Sequence, residues 1–112
     1  MPVPLDESAA ARIRSLLAGR DDVTEQRIVG GGVGFMVAGH LCVGLSPRGL
    51  TVLVGKAGMA SALARPFASH LEFGGRTAAA FVVVEPAGFE SDEDLREWVG
   101  RGVAFVATLP PR

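Results

Sequence analysis

Three side chains in this sequence could do chemistry at neutral pH: His40, Cys42 and His70. His40 and Cys42 are two residues apart. On a strand that spacing points both side chains to one face. With His70 they would supply three nitrogen and sulfur donors, one short of a closed zinc site, and only Glu72 offers itself as a fourth. Zinc ligands come in tighter, paired spacings, so a half-exposed histidine beside a hairpin and a small buried cysteine are expected instead, and no metal. Cys42 as a nucleophile with His40 as base needs an electropositive setting or a helix N-terminus, which a mid-strand position does not supply. No Gly-x-Ser-x-Gly elbow and no carboxylate pair in an apolar context occurs. No catalytic residue and no cofactor are assigned. A small-molecule or metal site, or an enzyme, built on His40, Cys42 and His70 stays as the alternative, and it requires the three to converge in one pocket.

Two glycine motifs invite a phosphate-binding reading. In Gly30-Gly31-Gly32-Val33-Gly34 the dinucleotide fingerprint would need a further glycine at position 35 or 37, where Phe35 and Val37 stand. No helix starts there to aim its N-terminus at a phosphate. A turn or bulge between strands is expected. Gly55-Lys56 has Leu50 where a P-loop carries its first glycine and Ala57 where it carries the magnesium-binding hydroxyl, so it is discarded.

The elements that must position these residues follow from periodicity. Residues 5–18 predict an amphipathic helix with Asp6 as N-cap, Glu7 in the first turn and Gly19 past its end. From residue 23 the period becomes two. Strands are expected at 24–29, 33–37, 41–45 and 50–54, with Ala38-Gly39 as a two-residue hairpin and Ser46-Pro47-Arg48-Gly49 as a turn. Short turns imply an antiparallel meander. Residues 56–64 predict a short helix that Pro66 ends. Residues 67–75 read as a connection, with 70–73 briefly extended. The apolar run 78–84 predicts a central strand buried on both faces. Ser91-Asp92-Glu93-Asp94 opens the last helix with a capping box and three acids at the positive end of its dipole. Leu95, Trp98, Val99, Gly102, Val103 and Val106 then fall on one face. Gly102 is expected at a close approach of helix to sheet. The order α-ββββ-α-β-α is an α+β layer, an antiparallel sheet with packed helices.

Length agrees with this: 112 residues make one domain, with a core over about residues 5–109. Hydrophobic residues are 48% and charged residues 21%, which is globular usage. A net charge of −1 argues against direct nucleic-acid binding and against a polybasic membrane surface. Arg27, Arg48, Arg65 and Arg76 could form a basic patch, but with 6% aromatic residues and no tyrosine a base-stacking platform is thin. One cysteine, no signal segment at the start and no long apolar stretch make the cytoplasm the expected compartment. Ten arginines against one lysine, with many Ala, Gly and Val, is the usage of GC-rich bacterial coding sequence.

The segment Gln26-Arg27-Ile28-Val29-Gly30-Gly31-Gly32-Val33-Gly34-Phe35-Met36-Val37-Ala38-Gly39-His40 resembles the N-terminal domain of the TfoX (Sxy) competence-regulator family. That family carries an arginine followed by Met-Phe-Gly-Gly, then a Gly-x-x-Phe hairpin turning near Asn-Gly. Leu50-Thr51-Val52-Leu53-Val54, Phe73-Gly74-Gly75-Arg76, Phe81-Val82-Val83-Val84-Glu85-Pro86 and the run from Leu95 through Trp98 to Leu109-Pro110 are similar to its later segments. The likeness spans about residues 8–111. Ile28-Val29 replace Met-Phe, Ala38 replaces the common Asn, and Thr77 stands where proline is frequent. The resemblance implies an α+β fold similar to secretion-chaperone-like domains. It also implies a stand-alone domain without the C-terminal helical domain of full-length regulators, which act with a cyclic-AMP receptor protein at promoters of DNA-uptake genes. A non-catalytic regulatory domain that binds a protein partner or itself is therefore expected. Its interaction patch is expected at Arg27, Gly30, Gly31, Gly34 and Arg76: arginine is a frequent hot-spot residue, and glycines let a partner's backbone come close.

Overall fold

The computed structural model describes residues 7–28 and 31–111. The expected N-cap Asp6, with Leu5, Val29 and Gly30, lies outside them. The chain folds as α1 (Glu7–Leu17), β1 (Val23–Ile28), β2 (Gly32–Val37), β3 (His40–Ser46), β4 (Gly49–Leu53), α2 (Gly55–Leu63), β5 (Ala68–Phe73), β6 (Arg76–Val84), a 3-10 turn (Pro86–Phe89) and α3 (Asp92–Val106). The six strands form one antiparallel sheet in the order β1-β2-β3-β4-β6-β5. This is the expected α+β architecture.

Register shows how the core is built. Phe35, Val43, Val52 and Val82 are cross-strand partners in one row, and Val33, Leu45, Leu50 and Val84 in the next. Those side chains share one face, and all but Val33 are fully buried on it together with Leu95, Trp98 and Val99 of α3, Ile13 of α1 and Ala62 of α2. Phe35 and Trp98 are 0% and 1% exposed, so the largest rings anchor this layer. Burying each large side chain contributes roughly 1.5–3 kcal/mol. The opposite face, with Gln26, Gly34, Gly44, Thr51 and Val83 in one row, has no helix over it among the described residues. An antiparallel sheet tolerates this because alternate residues can be polar or small.

Local signals hold where they are strongest. Ser91 is the N-cap of α3, its hydroxyl accepting from the Asp94 amide at 3.0 Å. Ala38 and Gly39 have φ of +52° and +85°, the left-handed pair that a two-residue hairpin requires. Two expectations change. Residues 68–73 form a full strand paired with β6, not a connection. The run 78–84 belongs to a strand that begins at Arg76 and is buried on one face only: Val82 and Val84 turn inward while Phe81 and Val83 stay partly exposed. Three of the seven residues of the run are small alanines, which need no second layer.

Candidate functional site

The first site to examine is the one that His40, Cys42 and His70 would make. Cys42 is the extra residue of a β-bulge: Phe35 pairs with Val43 and Met36 with Leu41, leaving Cys42 without a partner on β2. It is fully buried under α3. Burial pushes its thiol up to about 12, outweighing the opposing pull of Arg20. That thiol is not a nucleophile at neutral pH. His40, at the β2–β3 hairpin, donates from Nε2 to the carbonyl oxygen of Pro110 at 2.7 Å and so ties down the segment after α3. His70 is exposed on β5, an edge strand three strands away from β3. The structure does not bring the three together. Among the described residues no cluster of three His, Cys, Asp or Glu side chains could hold a metal ion.

Arg65 and Arg76 do not join Arg27 in one patch either. Arg65 is tied to Asp94 and Glu97 of α3 at 3.3 and 3.1 Å. Arg27 lies in the row that runs through Val33, Leu45 and Leu50 to Val84. Arg76 opens β6, eight residues before Val84, so the two stand at opposite corners of the sheet. At about 3.4 Å per residue that is roughly 27 Å along the strand alone. Arg76 is therefore not part of a patch with Arg27.

The glycine segment divides in a similar way. Gly31, in the β1–β2 connection, is exposed at φ +88° with nothing near it. Gly34 is buried in β2. A β-carbon there would lie 2.9 Å from Leu41 Cδ1 and 3.2 Å from Ile28 Cγ2. The room that Gly34 provides is filled by this chain's own side chains on the helix-free face, not offered to a partner. A β-carbon on Gly44 would likewise lie 3.5 Å from Ile28 Cδ1. Sequence alone did not show this arrangement, because it arises from the register that sets Gly34 opposite Gly44.

What remains presented is the β1 edge. β1 is exposed over its four middle residues. Asp22 continues the register to stand opposite Ala38, and its carbonyl accepts from the Ala38 amide at 2.9 Å. Antiparallel ladders alternate hydrogen-bonded and non-bonded pairs. The bonded pairs are then Thr24–Met36, Gln26–Gly34 and Ile28–Gly32, and the amides and carbonyls of Val23, Glu25 and Arg27 face away from the sheet. On the helix-bearing face, Arg14 of α1 donates to both carboxylate oxygens of Glu25 at 2.8 and 2.9 Å. Those hydrogen bonds hold the Glu25 carboxyl below the ordinary carboxylate range. Arg27, two residues on, is exposed and has no side-chain hydrogen bond or ion pair within the described chain. Among the described residues no helix is long and apolar enough to cross a membrane.

Comparison with family models, with curated proteins and with solved structures gives no match for this chain.

Proposed function

We propose that the chain is a non-catalytic, cytoplasmic regulatory domain of bacterial origin that acts by binding a protein, in the manner of the N-terminal domains of TfoX competence regulators. One observation carries the reading: among the described residues Arg27 stands exposed and unpaired on an edge strand whose outward backbone groups at Val23, Glu25 and Arg27 are free to be matched. An edge of this kind recognises an added strand through its main chain and selects it through alternate side chains. The α+β class is the one that the resemblance implies, which supports the reading. The separation of His40, Cys42 and His70 counts against a shared pocket for chemistry.

The test is capture from lysate of the source cells with tagged wild type and Arg27→Glu side by side. The reading expects a defined protein, or the untagged chain itself, retained by wild type and at least about tenfold weaker on the variant, since central interface arginines carry 2 kcal/mol or more. Equal retention by both baits, or none by either, contradicts it.

A further inference from the structure

We infer that the β1 edge pairs with the β1 edge of a second copy of this chain, antiparallel about a two-fold axis at Gln26, joining two sheets into one. The inference rests on the reading of the chain as an interaction domain and names one partner for it.

The sheet has two edges, and they differ. β5 slips register against β6 between His70 and Glu72, an irregularity of the kind that blunts an edge. β1 keeps unbroken register with β2 over all six of its residues and contains no proline, glycine or lysine. It is the longer regular template, and nothing in the described chain covers it.

Charge then selects the register. The outward residues Val23, Glu25 and Arg27 must face outward residues of the second copy, so only even offsets are allowed. Centring on Glu25 would set glutamate against glutamate. Centring on Arg27 would set arginine against arginine. Both are destabilising. Centring on Gln26 sets Glu25 of each copy against Arg27 of the other, giving two opposite-charge pairs from one two-fold operation. Glu25 is already held rigidly by Arg14, and a carboxylate has lone pairs to spare for a second guanidinium. Arg27 thereby gains the partner it lacks among the described residues of its own chain. Gln26 meets Gln26 on the axis as a non-hydrogen-bonded pair, where Cα atoms stand about 4.5 Å apart.

That spacing makes the register testable by disulfide formation. The full chain carrying Gln26→Cys, concentrated under mild oxidation, is compared with Glu25→Cys. The native Cys42 is buried and does not compete. Gln26→Cys is expected to form a covalent dimer, and Glu25→Cys to cross-link at least about tenfold more slowly, because its counterpart is a diagonal neighbour about 7–8 Å away. In parallel, sedimentation equilibrium follows Arg27→Glu and the double variant Glu25→Arg, Arg27→Glu. The single reversal should weaken self-association about tenfold, and the double should restore it, because the charges are exchanged and the pairs re-form. Failure of Gln26→Cys to cross-link, preferential cross-linking of Glu25→Cys, or a double variant no better than the single overturns the proposal. A chain that stays monomeric yet loses a captured protein on Arg27→Glu overturns the self-pairing alone and leaves the interaction-domain reading in place.

Discussion

Gly102 of α3 lies directly against Cys42 of β3. A β-carbon on Gly102 would fall 2.8 Å from the Cys42 sulfur and 2.9 Å from its carbonyl oxygen. The bulge that leaves Cys42 without a β2 partner turns it toward the helix, and the absent side chain at Gly102 lets the helix come down onto it. The contact seats Trp98 and Val106 of the same helix in the core. Gly102→Ala should therefore cost about 1–3 kcal/mol in urea denaturation, as overpacking does. Adding Cys42→Ala should recover only part of that loss, because the backbone oxygen remains in the way. Full recovery would mean that the sulfur alone sets the helix height.

The same burial fixes the behaviour of the thiol. Folded Cys42 titrates at about 12, against about 8.5 when unfolded. The folded state holds the proton more tightly, so its full contribution to stability is present below about pH 8.5 and declines as pH rises toward the folded value. Thermal unfolding of wild type should fall in midpoint across that window more steeply than that of Cys42→Ala. A thiol reagent at pH 8 should label the native protein slowly and the denatured protein at once. Rapid native labelling would show that the bulge opens.

Much of this arrangement is legible in the sequence, and the rest has physical reasons for being hidden. The 3.6-residue spacing from Leu95 to Val106 and the Ser91 cap are local, so α3 reads directly. Ala38-Gly39 reads as a turn because it separates two alternating apolar runs and Gly39 takes a positive φ freely, although Ala38 is a poorer fit there than asparagine. β5 is missed because its segment ASHLEF lacks clear alternation and is made a strand by pairing with β6. The roofing of Gly34 by Leu41 and Ile28 depends on cross-strand register, which no single segment encodes. Arg27 reads as a strand charge, but that its strand is an edge depends on sheet order.

The Arg14–Glu25 pair bridges α1 to the exposed edge and has a pH signature. Hydrogen bonding to Arg14 lowers the Glu25 carboxyl in the folded state. The pair's stabilisation is therefore present above about pH 4.3, the unfolded value, and is lost as pH falls through the folded one. Glu25→Gln should be slightly less stable than wild type at pH 7 and equal to it at strongly acidic pH. Both side chains are more than a third exposed, so the gap at pH 7 is small and shrinks further in salt. A gap that persists in acid would assign Glu25 a role other than its charge.

The central claim is that the outward backbone of β1 is a recognition edge completed by β1 of a second copy. Amide hydrogen exchange at Glu25 and Arg27, followed in dilute and in concentrated protein, tests it most directly. Thr24, Gln26 and Ile28 serve as internal controls, because their amides bond to β2 at any concentration. The account predicts that the Glu25 and Arg27 amides exchange freely when dilute and slow by about tenfold or more when concentrated, with the controls unchanged. Equal, fast exchange of Glu25 and Arg27 at both concentrations would contradict it.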